Sequence, residues 1–251
     1  MFINPGYLAA AGVSAGPAPF SVLAVEYDGT NDRLKHLGPM AGATDSKQGT
    51  FSCWIKANAG MDGSLRRFFT ISTTAGNWRV IVLKGGATET FTFHAKNSAG
   101  TQLLQCTTTA TRSSANGWYH IMFAYDLNVP KAIAVVDGAI GTNNQILVAG
   151  TVQLARSTDD WWAGAEEGTT KLDGCLTQVY FHDVFVDLAT LAGREKFIKD
   201  GKPVDLGANG ELPTGTQPIV FLKKGNLENA GTGADYVLTG STPACATSPS
   251  D

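Results

Sequence analysis

Charged residues are scarce in this chain, and neither sign of charge is concentrated in one place. Lys, Arg, Asp and Glu make up 16% of the 251 residues, and the formal net charge at pH 7 is −3. The lysines and arginines stand singly and form no basic stripe. Binding to nucleic acid or to anionic lipid needs a concentrated positive field. The sequence therefore predicts neither a nucleic-acid partner nor a membrane partner.

The chain also lacks a recognisable leader and a long apolar run. Residues 1–6 carry none of the positive charge that opens a secretory signal peptide. The apolar stretch 8–13 is too short and too rich in Gly and Ala to cross a bilayer. We therefore expect a protein that is made in a cytoplasm.

Cysteine is infrequent and shows no metal-binding or redox spacing. The four cysteines are Cys53, Cys106, Cys175 and Cys245, with no C-x-x-C pair and no neighbouring His at zinc-ligand spacing. A free Cys inside a strand behaves as a small buried hydrophobe. We expect buried thiols, although the even number leaves disulfides open.

Motifs for catalysis are missing as well. The Glu-x-Asp-x-x-Glu spacing that places a glycosidase acid and nucleophile on one strand face does not occur. No nucleophile motif stands beside the histidines, so we expect structural roles for His36, His94, His120 and His182. The sequence predicts a protein that is not an enzyme.

What the sequence does contain is a series of short strand patterns. Runs of aromatic and β-branched residues next to Gly or Asp turns are typical of antiparallel strands. Such runs occur at 27–29, 51–56, 78–83, 118–126, 134–138 and 172–181, and the chain has 29 glycines. In the second run, Phe51, Cys53 and Ile55 share one face. The patterns predict an all-β fold.

The organisation along the chain has three parts. Residues 1–20, rich in Pro, Gly and Ala, form an extended arm, and residues 21–183 carry the strand patterns. Residues 184–251 contain one predicted helix at 187–198 and a segment that wraps back over the strands. The helix would begin at Asp187 as N-cap and pack through Leu188, Leu191, Phe197 and Ile198.

The strand series resembles the laminin-G-like, concanavalin A-like family. Residues 27–32 are similar to its opening F-D-G-x-x-D turn, 51–56 to its F-T-x-x-x-W-V-K strand and 117–120 to its W-H-H strand. Residues 136–138 match the V-D-G hairpin, and 172–181 match the closing strand, with Thr177 and Gln178 in place of its acidic pair. The resemblance implies a two-sheet antiparallel jelly-roll sandwich with a short helix and extended termini.

The second half of the chain resembles a variant of this module found in structural proteins of tailed bacteriophages. The resemblance implies a non-catalytic virion protein, either a capsid decoration (cement) protein or a tail-associated one. Its partners would be other virion proteins and further copies of itself. The arm at 1–20 would lie across neighbouring subunits and add buried area and hydrogen bonds to the particle.

The alternative function is recognition of host-surface glycans, by a tail fibre or a free lectin. Adjacent Trp161 and Trp162 in a strand point to opposite faces, so one of them could form an aromatic platform beside Asp160. Trp54 is a second candidate for an outward ring. The competing interpretation places Trp162 in the core and Trp161 over a strand edge or a partner.

Calcium is the one cofactor that the resemblance raises. Many laminin-G-like modules bind calcium at the rim of the sandwich, and a hard cation prefers oxygen ligands. Asp28, Asn31, Asp32 and Asp126 lie in predicted turns that could supply them. Asp and Asn are equally common in turns for their own backbone hydrogen bonds. The sequence leaves both interpretations open.

Overall fold

The computed structural model describes residues 20–73, 77–166 and 170–251, and these residues form two large antiparallel β-sheets. The strands follow in chain order as β1 (Val25–Asp28), β2 (Arg33–His36), β3 (Gln48–Ala57), β4 (Arg66–Thr73), β5 (Trp78–Lys84), β6 (Phe91–Lys96), β7 (Gln102–Thr108), β8 (Trp118–Asp126), β9 (Lys131–Val136), β10 (Ala139–Ile140), β11 (Thr142–Leu147), β12 (Asp159–Ala163), β13 (Asp173–His182), β14 (Ile198–Lys199), β15 (Lys202–Pro203), β16 (Val220–Leu222) and β17 (Val237–Thr239). The predicted all-β sandwich is confirmed.

The two sheets have seven and eight strands. Sheet I has the order β1-β13-β3-β8-β9-β10, with β16 also paired to β13, and sheet II has the order β11-β7-β6-β5-β4-β12-β2-β17. Strands β14 and β15 form a separate hairpin. Neighbours in both large sheets come from distant parts of the chain, because β12 and β13 insert between strands of the first half.

The main core lies between the sheets and follows the alternation of each strand. Phe51, Cys53 and Ile55 of β3 have no exposed surface, which confirms their predicted shared face. They meet inward side chains of sheet II such as Phe69 and Phe93 in one continuous cluster. Burying an aromatic or aliphatic side chain contributes about 1.5–3 kcal/mol each, so this cluster is the main source of stability.

A second apolar cluster covers the outer face of sheet I. The outward side chains of the sheet, Trp54, Met122, Ala124, Ile133 and Val135, pack against Val186, Leu188, Phe197, Ile198, Leu206 and Phe221. Trp54 is consequently 2% exposed, and the prediction of an accessible ring there is wrong. Strand alternation places Trp54 on the outside of the sheet, but the chain after residue 183 folds over it.

The predicted helix at 187–198 is much shorter in the structure. Helix α1 spans Leu191–Arg194, and its N-cap is Thr190, whose hydroxyl accepts a hydrogen bond from the Gly193 amide. The predicted cap, Asp187, lies in the turn before the helix. Its carboxylate accepts hydrogen bonds from the Ala189 amide of the same turn and from the Lys131 ammonium of β9. Leu191 is exposed, whereas Leu188 packs as expected.

The C-terminal segment adds strands to both sheets. Strand β16 pairs with β13 in sheet I, and β17 pairs with β2 at the edge of sheet II. The chain then returns to β1, where Cys245 forms a disulfide with Cys175, with the Cα atoms 6.1 Å apart. The expectation of buried thiols is therefore wrong for this pair and holds for Cys53 and Cys106.

Two further sequence expectations concern the termini and the membrane. Of the arm predicted for residues 1–20, all but Phe20 lies outside the described residues. In the part of the chain that the structure describes, no helix has the length and apolar character needed to span a bilayer.

Candidate functional site

The predicted tryptophan platform on β12 is buried on both sides of the strand. Trp161 faces the core, where its ring centroid lies 5.9 Å from those of Phe69 and Phe181, and it has no exposed surface. Trp162 points to the outside of sheet II, yet it is only 1% exposed. The interpretation with an accessible ring is therefore wrong, and the competing interpretation has the two rings exchanged, because Trp161 is the core residue and Trp162 is the covered outward one.

The cover over Trp162 comes from neighbouring strand β2. The Lys35 ammonium lies 4.3 Å from the ring centroid, and the Arg33 guanidinium lies 5.6 Å from it. Lys35 also forms an ion pair with Asp160 at 2.9 Å, which leaves Asp160 4% exposed. Long cationic side chains thus cover an aromatic ring through their stems and a cation–π contact.

Three of the four residues predicted to bind calcium line one cleft at the rim of the sandwich. The cleft has a volume of about 380 Å³ and is lined by Glu26, Asp28, Asn31, Asp32, Gly240, Ser241 and Pro243. Asp28 accepts hydrogen bonds from the amides of Thr30 and Asn31, and the Thr30 bond chiefly holds its pKa below the usual value. Asp32 accepts the amides of Asp28 and Ser241. These carboxylates therefore serve as turn and loop acceptors.

Asp126 does not join this cleft. It pairs with Gln48 at the start of β3, whereas Asp28 sits beside β13 near Ala57 at the other end of β3. Nine residues of extended strand separate the ends by roughly 30 Å. Among residues 20–73, 77–166 and 170–251, no group of three or more His, Cys, Asp or Glu side chains is arranged to hold a metal ion.

Two of the histidines have structural partners. His120 is buried, lies 2.7 Å from the Ser52 hydroxyl and stacks on Trp54, and its burial lowers its pKa to about 3. His182 Nδ1 lies 2.8 Å from Asp183 Oδ1, and its Nε2 lies 3.0 Å from the hydroxyl of Thr216.

The outer face of sheet II carries a row of side chains across five strands that changes from buried and mostly apolar to half-buried and polar. Backbone pairing aligns Trp162 with Thr70, Thr70 with Ile81, Ile81 with His94, and His94 with Gln105. Because these residues alternate with core residues such as Phe93 and Leu104, their side chains point away from the core. The row runs from the closed β12 side towards β7 and β11, where the side chains become accessible.

At the accessible end, one aromatic ring and three amides surround a histidine. We call this group the amide patch; it consists of Trp78, His94, Gln102, Gln105 and Gln145. Gln102 Nε2 lies 2.9 Å from His94 Nδ1 and 3.2 Å from Gln105 Oε1, and Gln105 in turn donates to Gln145. Four members are half-buried, and Gln145 is exposed. The patch therefore presents a fixed set of neutral donors and acceptors to solvent.

The electrostatics of the patch favour an uncharged imidazole. Burial, and then repulsion by Lys96, lower the pKa of His94 to about 4. Nδ1 faces the donating amide of Gln102, so the neutral ring carries its proton on Nε2. The indole of Trp78 lies 5.4 Å from the His94 ring and 3.7 Å from the Lys96 ammonium, measured to its centroid. Aromatic, amide and cationic groups thus meet at one end of sheet II.

Strand alternation in β6 and β7 indicates the amide patch from the sequence, but the candidate site was chosen on the paired tryptophans instead. Phe91, Phe93 and Ala95 alternate as core residues, so Thr92, His94 and Lys96 must point outward. Strand β7 alternates in the same way, with Gln105 outward. The pairing that brings these side chains together becomes visible only in the sheet.

The fold is a two-sheet, jelly-roll-like sandwich in which the outer face of sheet I is covered and part of the outer face of sheet II is polar. Residues 28–189 match the family model described as the concanavalin A-like lectin/glucanase superfamily. The chain belongs to this superfamily. No curated protein sequence matches the chain.

Two solved structures show the similarity of fold. A heptameric SAP-like pentraxin from Limulus polyphemus aligns with a TM-score of 0.54 at 12% identity, over 87% of this chain and 94% of the pentraxin. A proposed carbohydrate-binding protein from Bacteroides ovatus aligns with a TM-score of 0.57 at 13% identity, over 92% of this chain and 62% of that protein. At these identities the likeness concerns the fold alone.

Proposed function

We propose that this chain is a non-catalytic carbohydrate-binding module that recognises a glycan through the amide patch on sheet II. The observation that carries the proposal is the combination of Trp78 with the amides of Gln102, Gln105 and Gln145 on the one sheet face that the C-terminal segment leaves uncovered. Sugar hydroxyls both donate and accept, as amides do, and the apolar face of a sugar ring packs on aromatic side chains.

The comparisons support this class of function without assigning a ligand. The superfamily description includes lectins, and carbohydrate binding is the proposed role of the Bacteroides ovatus protein. The other sheet is a poor alternative, because its outward ring, Trp54, is packed in the second apolar cluster. A ligand on the sandwich faces would therefore have to use sheet II.

The non-catalytic part of the proposal is supported by the carboxylates that are present. The segment Glu26-x-Asp28-x-x-Asn31 differs from the glycosidase motif at its third position, which is an amide and cannot act as a general acid or base. Asp28 is also occupied as a turn acceptor. These residues suit hydrogen bonding better than proton transfer.

A glycan microarray, followed by calorimetry on the best ligand, tests the proposal. We expect Trp78→Ala to weaken binding by about tenfold or more, since central aromatic contacts contribute about 1.4 kcal/mol or more to affinity. The matched control is Trp118→Ala, which removes a half-buried tryptophan from sheet I. A wild-type protein that binds no glycan would refute the function, and equal losses in both variants would refute the site.

The virion role remains a prediction from sequence resemblance. A glycan-binding module is compatible with a tail-associated protein that contacts a host surface, and less so with a capsid decoration protein. Immunogold electron microscopy of phage particles with an antibody to this chain separates the two locations. Absence of label on any particle would remove the virion role and leave the carbohydrate-binding proposal standing.

A further inference from the structure

The Trp78 end of the amide patch has an excess of positive charge. Lys96 lies over the Trp78 ring, and Arg79 is its neighbour in β5. Arg79 and Arg156 both attract the Asp159 carboxylate, whereas the neighbouring Asp160 is paired with Lys35. Among the described residues, the three cations Lys96, Arg79 and Arg156 thus face one carboxylate, which leaves a local charge of +2. This contrasts with the −3 of the whole chain.

Arg79 is buried without enough hydrogen-bond partners. It is 3% exposed, and its Nε forms an ion pair with Asp159 Oδ2 at 3.5 Å, which is longer than an ordinary hydrogen bond. In the described part of the chain, Arg79 Nε and Nη1 have no hydrogen-bond acceptor. A guanidinium has five donors, and leaving them unsatisfied in the interior is costly. Arg79 thus forms an ion pair with Asp159 but keeps donors that no acceptor among the described residues satisfies.

Lys96 brings a second cation close to Arg79. Burial, and then repulsion by Arg79, lower the pKa of the Lys96 ammonium. The described residues give Lys96 no ion pair, although its ammonium lies over the Trp78 indole. Like charges held together beside an accessible aromatic ring are a feature of binding sites rather than of stable surfaces. An anion placed there would relieve the repulsion.

We propose that the glycan recognised at the amide patch carries an anionic group, a carboxylate or a sulfate, that binds at Lys96 beside Trp78 in the positive field of Arg79. This inference rests on the proposed carbohydrate-binding function and adds the chemical class of the ligand. The half-buried Lys96 makes the direct contact, because its ammonium is the accessible cation. Buried Arg79 strengthens the interaction, since charges interact more strongly where water is excluded. The neutral amides of Gln102, Gln105 and Gln145 then bind the uncharged hydroxyls of the same ligand.

The test uses matched pairs of glycans on one microarray: sialylated with desialylated, uronate with its methyl ester, and sulfated with desulfated. Wild type is compared with Lys96→Gln and with Lys199→Gln, which removes an exposed lysine from β14. We expect Lys96→Gln to weaken binding to the acidic partner by about tenfold, because the variant loses a hydrogen bond between two charged groups. Binding to neutral partners and the Lys199→Gln variant should be unchanged. Raising the salt concentration should weaken only acidic binding.

The outcomes separate this inference from the proposed function. Equal binding to acidic and neutral partners would overturn the anionic group and leave the carbohydrate-binding function intact. Equal losses in Lys96→Gln and Lys199→Gln would show non-specific attraction and overturn the site. No binding to any glycan would overturn the function together with the inference. Arg79→Lys, which keeps the charge, should bind acidic partners more tightly than Arg79→Gln, and unfolding curves of both variants check that they fold.

Discussion

Breaking the disulfide between Cys175 and Cys245 should destabilise the whole sandwich. The bond joins β13, which lies between β1 and β3 of sheet I, to the chain end, and its cysteines are 70 residues apart. Closing a loop of that length restricts the unfolded chain and corresponds to about 4 kcal/mol in the chain-entropy treatment. For a domain of this size, about 4 kcal/mol corresponds to a fall in Tm of roughly 8–16 °C.

The backbone contacts of the tail set how much of this loss is observed. The Cys245 amide donates to the Ala24 carbonyl at 2.9 Å, and the Glu26 amide donates to Pro243 at 2.8 Å. These bonds can hold the tail in place in the reduced protein, so the native state changes little and the effect arises mainly in the unfolded state.

Thermal unfolding of air-oxidised wild type, with and without reductant, measures the effect. Cys245→Ser is the control, because the reductant should no longer change its Tm. A thiol count on denatured, non-reduced protein should find two thiols, from Cys53 and Cys106. Four thiols in oxidised protein would refute the disulfide. Equal Tm values with and without reductant would refute the stability argument.

Three further predictions concern buried groups. Trp162→Ala should lower the free energy of unfolding by about 3–5 kcal/mol, more than Trp118→Ala, because only the Trp162 ring is almost fully buried; a loss below about 1 kcal/mol in denaturant titrations would show that the cover by Lys35 and Arg33 is loose. His120, with its pKa lowered to about 3 in the folded protein, binds a proton more readily in the unfolded chain. Its contribution to the free energy of unfolding is therefore complete above pH 6.5 and declines as the pH falls. That contribution should shrink by about 2 kcal/mol at pH 5, and an NMR titration of His120 near pH 6.5 would contradict it. Asp183, His182 and Thr216 form a hydrogen-bonded series, but the Thr216 hydroxyl lies in an exposed turn where nothing activates it as a nucleophile. The wild-type protein should therefore hydrolyse p-nitrophenyl acetate no faster than the Thr216→Ala variant. Turnover that the substitution abolishes would show an enzyme instead.

The sequence predicted the sandwich well because strand alternation is a local property. The inward positions of β3, Phe51, Cys53 and Ile55, follow from period two alone, and their burial needs no knowledge of the partner strands. The helix prediction was wrong about where the helix begins, because a side-chain hydrogen bond competes with helix formation there. Leu188 and Leu191 have helical spacing, but the Asp187 carboxylate closes a turn, and the helix begins only at Leu191.

The exposure of the tryptophans could not be predicted because it depends on distant segments. Alternation shows that Trp54 and Trp162 point out of their sheets. It does not show that Phe197 and Phe221 cover the first, or that Lys35 covers the second. The disulfide could not be predicted for the same reason, because Cys245 reaches Cys175 only after the tail has folded back along β1.

The outer faces of the two sheets differ because the C-terminal segment packs on only one of them. Its apolar residues, among them Val186, Leu188 and Phe197, cover sheet I and turn that outer face into a second core. Sheet II receives only β17 at its edge, and the β6, β7 and β11 side of its outer face is accessible and polar. On that side, amides and hydroxyls bond to one another, as the contacts of Gln102, Gln105 and Thr107 show. Among the described residues, Lys96 has no ion pair and Arg79 has guanidinium donors without acceptors, and this deficit is the physical reason to look for an acidic ligand there.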